Sequence, residues 1–206
     1  MKKLEHIIEP IRVELAQFEV FFEQTMQAET KPMDSIMRYV QESQGKRLRP
    51  ILLLLSAKLF GEVNERTLRA ATFVEMMHSA TLIHDDVVDD TTERRGRASV
   101  KAQFGNHSAV LAGDYLLAKA ILLLSHPSDS PILNEMLHTA AAMSEGELLQ
   151  GAVGLSYHDS RCDATQQRLP RCDSPTNPIF RHHYKKNRHP IAFLLRRWCP
   201  LVECHN

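Results

Sequence analysis

The chain has 206 residues, 43% of them hydrophobic, which suffices for one domain with a real core, alone or with an appendage. Its formal net charge is zero, so no overall field favours nucleic acid or an anionic membrane as a partner. The N-terminal residues, MKKLEHIIEP, lack the apolar region of a signal peptide, and the longest apolar run, ILLLLSAKLF, is too short to span a bilayer. We therefore expect a soluble, cytoplasmic protein without a transmembrane segment.

The composition changes near residue 150. Residues 1–150 carry 16 basic and 21 acidic residues, a balance of −5, whereas residues 151–206 carry 9 and 4, a balance of +5. All four cysteines and the single tryptophan lie beyond residue 155. We expect residues 1–150 to form a helical domain part, and residues 151–206 to be an aperiodic tail that is irregular or disordered.

The first 150 residues predict helices throughout, because apolar residues recur there at a helical spacing. The predicted helices cover residues 4–28, 33–43, 51–59, 65–90, 108–124 and 131–150. Pro10 marks a kink or a late start, Gly61 ends the third helix, and Ser108 is the expected N-cap of the fifth. No segment of useful length alternates with period two. The predicted fold class is all-α, with long helices that bury wide apolar faces on one another.

The stretch LIHDDVVDDTTERRG, residues 82–96, places four aspartates within six positions. On a helix, Asp85 and Asp89 share one face and Asp86 lies beside them. Like charges four residues apart cost about 0.2–0.5 kcal/mol per pair. Mg²⁺ is held by one or two carboxylates together with substrate phosphates, so the cluster suits about two or three ions that bridge to a diphosphate. A solvated acidic helix end is the alternative interpretation.

Cationic groups accompany the aspartates. They are Lys46, Arg47 and Arg49 in GKRLRP, and Arg94 and Arg95 after the acidic cluster. His78 lies two turns before Asp85 on the same helical stripe. Taken singly, the basic groups are explained by solvated helix ends and His78 by a satisfied core histidine. Together they favour two phosphorylated substrates, one held through metal and one held directly by cations.

Four motifs resemble, in order and spacing, those of the trans-prenyltransferases, the polyprenyl diphosphate synthases. They are GKRLRP (45–50), FVEMMHSATLIHDDVVDDTTERRGRAS (73–99), LAGDYLL (111–117) and SEGELLQ (144–150). The resemblance covers roughly residues 1–150. It implies an isoprenoid-synthase-type helical bundle that forms a homodimer. It also implies Mg²⁺-dependent condensation of an allylic diphosphate with isopentenyl diphosphate.

The resemblance assigns roles to individual residues. Asp85, Asp86 and Asp89 match the first aspartate-rich motif, which holds Mg²⁺ on the allylic diphosphate. Arg94 matches the arginine that contacts the same diphosphate. The isopentenyl diphosphate site is matched by Lys46, Arg49, His78 and Arg95.

Three further residues predict the product length. In the resembling family, bulky aromatic residues one turn before the aspartates stop chain growth early. Here these positions are Ala80 and Thr81, both small, and Met77 below them is flexible. The resemblance therefore implies a long-chain, all-trans product of the kind found in quinone side chains. The alternative is that the small residues merely permit close helix packing.

The chain departs from the family after the GELLQ helix. The family continues with a Lys-Thr pair, a Phe-Gln pair and a second aspartate-rich motif, none of which is recognisable here. We therefore expect a truncated N-terminal part whose activity alone is doubtful. The stretch HHYKKNRHP, residues 182–190, permits IIxxKTAxL when reread one base forward. This favours a frameshifted end over a genuine variable tail.

Other interpretations of the tail are weaker. Its cysteines and histidines lack the CxxC or HxxxH spacing of a zinc site. The stretch KKNRHPIAFLLRRW could instead form a basic amphipathic segment at a membrane surface.

Two other functions compete with the synthase. One is a catalytically inactive relative that dimerises with a complete synthase and modulates it, which the missing second motif favours. The other is a class I terpene cyclase, which also uses DDxxD. GKRLRP and Arg95 disfavour the cyclase, because it needs no isopentenyl diphosphate site.

Overall fold

A computed structural model describes residues 2–43 and 45–159, and it confirms the all-α class for them. The helices are α1 (Lys2–Ile8), α2 (Arg12–Met26), α3 (Lys31–Glu42), α4 (Leu48–Phe60), α5 (Glu65–Val88), α6 (Val100–Phe104), α7 (Asn106–Leu123) and α8 (Ser130–Asp159). Between α5 and α6 lies a hairpin of β1 (Glu93–Arg94) and β2 (Arg97–Ala98). One compact unit extends to Ile132, and a second begins at Leu133.

The core of the first unit is built around α5 and α7. Both helices bury small residues, which allows their backbones to approach closely. The buried small residues are Ala70, Ala71, Ser79 and Ala80 on α5, and Ala109, Ala112, Gly113 and Ala120 on α7. Larger side chains fill the adjoining space, among them Phe73 and Met76 of α5 and Phe18 and Phe22 of α2. Each such side chain contributes about 1.5–3 kcal/mol when fully buried.

The helix limits differ from the predicted ones where local chemistry outweighs apolar spacing. Pro10 lies in a 3-10 turn, Glu9–Ile11, that separates α1 from α2. Helix α4 begins at Leu48 rather than residue 51, with Pro50 inside its first turn, where its missing N–H costs nothing. Helix α7 begins at Asn106, so Ser108 is not its N-cap.

Two short elements were missed by the periodicity argument. Ser99 caps α6, and its hydroxyl accepts from the Ala102 N–H. Helix α6 has five residues, too few to show a helical period. In the hairpin, Glu93 pairs with Ala98 and Arg94 with Arg97. The turn residues Arg95 and Gly96 have φ of 57° and 75°, and positive φ at both central positions defines the type I′ hairpin turn.

The last described helix passes the predicted boundary. Helix α8 continues to Asp159, so residue 150 is not a helix end. Residues 160–206 fall outside the described residues. The expectations for a disordered or frameshifted tail, a zinc site there and a membrane-surface segment therefore remain predictions.

No single helix of the described residues combines the length and the apolar character needed to cross a membrane. The broken pair Asn106–Leu123 and Pro127–Gly146 meets that test jointly, by length and composition alone.

A buried carboxylate fixes the N-terminal end of α5. The side chain of Asp129, in the 3-10 turn before α8, is completely buried. It accepts from Arg69 at 3.0 Å (Nε) and 2.7 Å (Nη2), and Nε of Arg66 lies 2.9 Å from its other oxygen. A buried carboxylate needs such partners, because desolvation otherwise costs several kcal/mol.

We expect Asp129→Asn to lower the free energy of unfolding by about 3–5 kcal/mol, because it leaves two arginines next to a neutral amide. Urea unfolding followed by circular dichroism measures this. The matched control is Glu65→Gln, which removes an exposed carboxylate 3.2 Å from the same Arg69 and should cost at most about 1 kcal/mol. Equal losses in the two variants would contradict a structural role for the buried pair.

Candidate active site

The acidic cluster lies at the C-terminal end of α5. The helix ends at Val88, and the Asp89 N–H still donates to the Asp85 carbonyl at 2.8 Å. Asp85 and Asp89 are exposed, as expected for residues that share a face. Asp86 is 3% exposed and points into the protein. The three carboxylates therefore do not present one common surface.

Two of the four aspartates are already paired with cations. Asp86 accepts from Arg94 on β1, with its Oδ1 2.8 Å from Nε and 2.7 Å from Nη2. This bond, followed by the nearby charges of the aspartates, raises the pKa of Arg94. Asp90, in a left-handed conformation (φ 54°), accepts from Lys101 of α6, and that hydrogen bond lowers the pKa of Asp90.

Asp85 and Asp89 remain available to a ligand. Neither makes a side-chain hydrogen bond or ion pair with a described residue. Within residues 2–43 and 45–159, no three His, Cys, Asp or Glu side chains converge into a complete metal-ligand set. Two hard carboxylates one helical turn apart nevertheless fit Mg²⁺, which takes its remaining ligands from water and phosphate.

The loop before α4 separates the three basic residues of GKRLRP. Arg47, in a left-handed conformation, turns inward. It donates to Glu19 in a forked pair at 3.1 Å, lies 3.4 Å from Glu75, and stacks 4.3 Å from the ring centre of Phe22. Lys46 and Arg49 are exposed. Arg47 is thus a structural residue, and the other two are free to meet a ligand.

Three arginines lie around His78. Burial is the largest cause that lowers the pKa of His78 to about 4, and the charges of Arg49, Arg95 and Arg94 lower it further. Its imidazole is therefore neutral near pH 7. One turn earlier, burial raises the pKa of Glu75 against the opposing effect of Arg47 and Arg49. Of the predicted isopentenyl diphosphate residues, Arg49, His78 and Arg95 lie together, whereas Lys46 has no side-chain partner among the described residues.

Arg95 joins the hairpin to the GKRLRP loop. Its Nη1 donates to the Ser43 carbonyl at 3.2 Å. A Cβ on Gly45 would lie 2.5 Å from the same nitrogen, so the absence of a side chain there makes room for the guanidinium. Sequence reasoning did not assign Ser43 or Gly45 to the site. The glycine in the GKRLRP motif was the one feature of the sequence that pointed to this close approach.

One pocket brings together several of these groups. Its wall includes Tyr39, Gly45, His78, Asp86, Arg94 and Arg95. It is lined by α3, α5 and the hairpin, so residues from three parts of the sequence meet there. Its arginines suit it to anions, and it lies next to the exposed carboxylates Asp85 and Asp89.

The three chain-length residues have different surroundings. Ala80 is completely buried in the core, so close packing is part of its role. Thr81 is exposed, and its hydroxyl donates to the His78 carbonyl at 2.9 Å. Met77 is partly buried. Among them, Thr81 has an open side where a growing chain could pass.

The LAGDYLL motif contributes through a glycine. A Cβ on Gly113 would overlap the imidazole of His84, which precedes the acidic cluster. Nε2 of His84 lies 3.3 Å from the Val110 carbonyl and 3.4 Å from Asp114. Gly113 thus lets α7 pack directly against the end of α5. Sequence reasoning did not assign His84 or Asp114, since the contact depends on the packing of two helices.

The profile of the family Polyprenyl synthetase matches residues 30–186. The chain belongs to this family. Over 145 residues it is 37% identical to the all-trans-nonaprenyl-diphosphate synthase (geranyl-diphosphate specific) of Rhodobacter capsulatus, covering 70% of this chain and 45% of that one. The curated relatives of this family member are prenyl diphosphate synthases of various chain lengths, from geranylgeranyl to decaprenyl.

Solved structures agree with this assignment. A decaprenyl diphosphate synthase from Rhodobacter capsulatus superposes with a TM-score of 0.68 at 33% identity, covering 72% of this chain and 46% of that one. A polyprenyl synthase from Caulobacter crescentus CB15, complexed with calcium and isoprenyl diphosphate, gives 0.67 at 30%, covering 71% and 44%. This polyprenyl synthetase chain therefore spans less than half the length of these relatives, and its isoprenoid-synthase fold is shown for the shared part.

We expect His78 to titrate with a midpoint near pH 4, because burial and the charges of three arginines lower its pKa to about 4. Its pKa is lower in the folded chain than its ordinary value of 6.5, so between these pH values the unfolded chain binds the extra proton. This contribution to stability is present above pH 6.5 and is lost as the pH falls toward 4. NMR titration of the imidazole measures the midpoint.

Urea unfolding at pH 7 and pH 5 tests the expected contribution of His78 to the pH dependence of the free energy of unfolding. His78→Gln should lose less stability between these pH values than the unmodified chain. A titration midpoint near 6.5 would show that His78 is solvated and far from the arginines.

Proposed function

We propose that this chain provides the substrate-binding half of a prenyltransferase that condenses an allylic diphosphate with isopentenyl diphosphate. The observation that carries the proposal is the pocket in which Arg94, Arg95 and His78 lie beside the acidic end of α5, with Arg49 near enough for its charge to lower the pKa of His78. The family assignment and the names of the relatives support the same activity. The diphosphates of the two substrates need two sets of positive counter-charges. The site offers carboxylates that could hold a metal ion, and it also offers guanidinium groups.

Each set of residues has a distinct role in this proposal. Asp85 and Asp89, with Asp86 beside them, would hold Mg²⁺ near the allylic diphosphate. Arg94 moves its hydrogen bonds from Asp86 to a diphosphate oxygen when the ligand binds, which frees the Asp86 carboxylate. Bound Mg²⁺ supplies Lewis-acid stabilisation of the departing diphosphate.

The second substrate is bound without metal. Arg49 and Arg95 hold the isopentenyl diphosphate directly, with Lys46 joining from the loop before α4. His78 can donate a hydrogen bond while it is neutral, so it adds no further repulsion among the arginines. The double bond of this substrate attacks the allylic carbon as its C–O bond breaks, and a proton then passes to the released diphosphate.

The product length and the assembly state remain proposals. Relatives that make nonaprenyl and octaprenyl diphosphates support a long-chain all-trans product. The small Ala80 and Thr81 agree with it. The homodimer implied by the resemblance and the cytoplasmic location expected from the composition remain predictions, and so does an inactive, modulating role for the chain.

We expect the chain to bind an allylic diphosphate such as geranyl diphosphate more tightly with Mg²⁺ than without it, because Asp85 and Asp89 would hold the ion where it offsets the charge of the phosphates. Isothermal titration calorimetry with and without Mg²⁺ measures the difference. The double variant Asp85→Asn/Asp89→Asn should remove the Mg²⁺ dependence.

Asp90→Asn is the matched control, because this exposed aspartate belongs to the same cluster but is paired with Lys101. The Asp90→Asn variant should still bind the diphosphate more tightly with Mg²⁺ than without it. Equal affinity of the unmodified chain with and without Mg²⁺ would rule out the metal bridge.

We expect Thr81→Phe to shorten the product by several isoprene units, because it places a ring on the open side of α5, one turn before Asp85. The measurement is product analysis in a chimera that adds the C-terminal half of the Rhodobacter capsulatus relative. Ala80→Phe, the change that the sequence first suggests, should also cost about 1–3 kcal/mol in stability, because Ala80 is fully buried. An unchanged product from Thr81→Phe would place the end of the channel elsewhere.

A further inference from the structure

One face of α3 holds the hairpin that carries the two arginines of the site. The Tyr39 hydroxyl donates to the Ala98 carbonyl on β2 at 2.7 Å. The guanidinium of Arg97 lies 4.6 Å from the centre of the Tyr39 ring and 3.1 Å from a Glu42 oxygen. The next residue of this face, Ser43, accepts from Arg95. Three successive attachments thus join α3 to residues 95–98.

Tyr39 is central among these attachments. Its ring also meets Phe104 of α6 edge to face, with centres 5.3 Å apart and planes at 83°. The ring is thereby held between Arg97 and Phe104, and the hydroxyl is directed at the backbone of β2. An isolated two-stranded hairpin is marginally stable in water, so its position depends on such contacts.

The two arginines of the hairpin are anchored differently. Arg94 has its own strong partner in Asp86, whose carboxylate lies on α5. Arg95 is exposed, and its described anchor is the backbone carbonyl of Ser43, which caps the C-terminal end of α3; its guanidinium lies next to Gly45. Arg95 therefore depends more than Arg94 on the distance between α3 and the hairpin.

We propose that Tyr39 is a positioning residue for isopentenyl diphosphate. Its hydroxyl fixes the hairpin on α3 so that the Arg95 guanidinium is held at the pocket beside His78. This inference rests on the proposed function, since it assigns Arg95 to that substrate. It predicts an effect on one of the two diphosphates and little on the other.

The test is Tyr39→Phe, which keeps the ring and removes the hydroxyl. Calorimetry with isopentenyl diphosphate alone, on the full chain, should show a dissociation constant raised about 2- to 10-fold, the range that corresponds to one lost hydrogen bond. Mg²⁺-dependent affinity for geranyl diphosphate should change less than about 2-fold, because Asp86 of α5, and not α3, positions Arg94 before the ligand binds. Amide hydrogen exchange over residues 93–98 should become faster.

Tyr115→Phe is the matched control. The Tyr115 hydroxyl also donates to a backbone carbonyl, that of Gln27 at 3.5 Å, on α7 and away from the pocket. Its removal should leave both affinities and the hairpin exchange unchanged.

The outcomes distinguish a failure of the proposed function from a failure of the role proposed for Tyr39. If the unmodified chain binds no isopentenyl diphosphate, the proposed function fails, and the role of Tyr39 fails with it. If the unmodified chain binds but Tyr39→Phe binds equally well, the proposed function stands and the Tyr39 role is overturned. An equal loss for both diphosphates, with a matching fall in melting temperature, would mean general destabilisation and would also overturn it.

Discussion

The half-buried guanidinium of Arg47 is the constraint on which the site depends. A charge that is largely removed from water must be paired, and Arg47 is paired with Glu19 of α2 and Glu75 of α5 while it stacks on Phe22. These contacts fix the start of α4 against two other helices. Because Arg47 turns inward, its neighbours Lys46 and Arg49 face outward. Arg49 is near enough to His78 for its charge to lower the pKa of that histidine.

The crowded aspartates are explained by a division of their charge. Asp86 is neutralised by Arg94 and Asp90 by Lys101, which leaves Asp85 and Asp89 exposed at the helix end. The protein itself therefore compensates two of the four charges. In the proposed function, a divalent cation and a diphosphate compensate the rest. In the proposed function, a diphosphate that takes the hydrogen bonds of Arg94 also releases the Asp86 carboxylate.

His78 is a neutral histidine surrounded by arginines, and it can still form a hydrogen bond to a ligand. Burial and three nearby guanidinium groups lower its pKa to about 4, so it carries no charge at neutral pH. A charged imidazole would repel the arginines, and only a bound anion would offset that repulsion. A neutral imidazole can form a hydrogen bond to a phosphate oxygen at no such cost. The positive charge of the pocket is thus supplied by arginines, whose protonation does not change near pH 7.

The hairpin between α5 and α6 shows that a small element can control a site. Arg94 and Arg95 are consecutive in the sequence, but Arg94 lies on a strand and Arg95 in the positive-φ turn. Their side chains therefore meet different partners. Arg94 reaches α5 and Arg95 reaches the end of α3. The packing of Gly113 against His84 similarly connects α7 to the residue before the acidic cluster. Glycines at 45 and 113 are required by these close approaches.

The sequence by itself determined the all-α class, the approximate helices, the family and the set of charged residues that belong to the site. It could do so because apolar periodicity and motif spacing are local properties of the chain. Tertiary structure alone decided that Arg47 forms structural ion pairs while Arg49 is exposed. It likewise decided that Asp86 is paired with Arg94, whereas Asp85 and Asp89 are exposed. It also decided that Ala80 is buried while Thr81 is exposed. It also revealed Tyr39, Gly45 and His84. Neighbouring residues of one type differ in these respects because burial and pairing depend on contacts between distant segments, which no local pattern records.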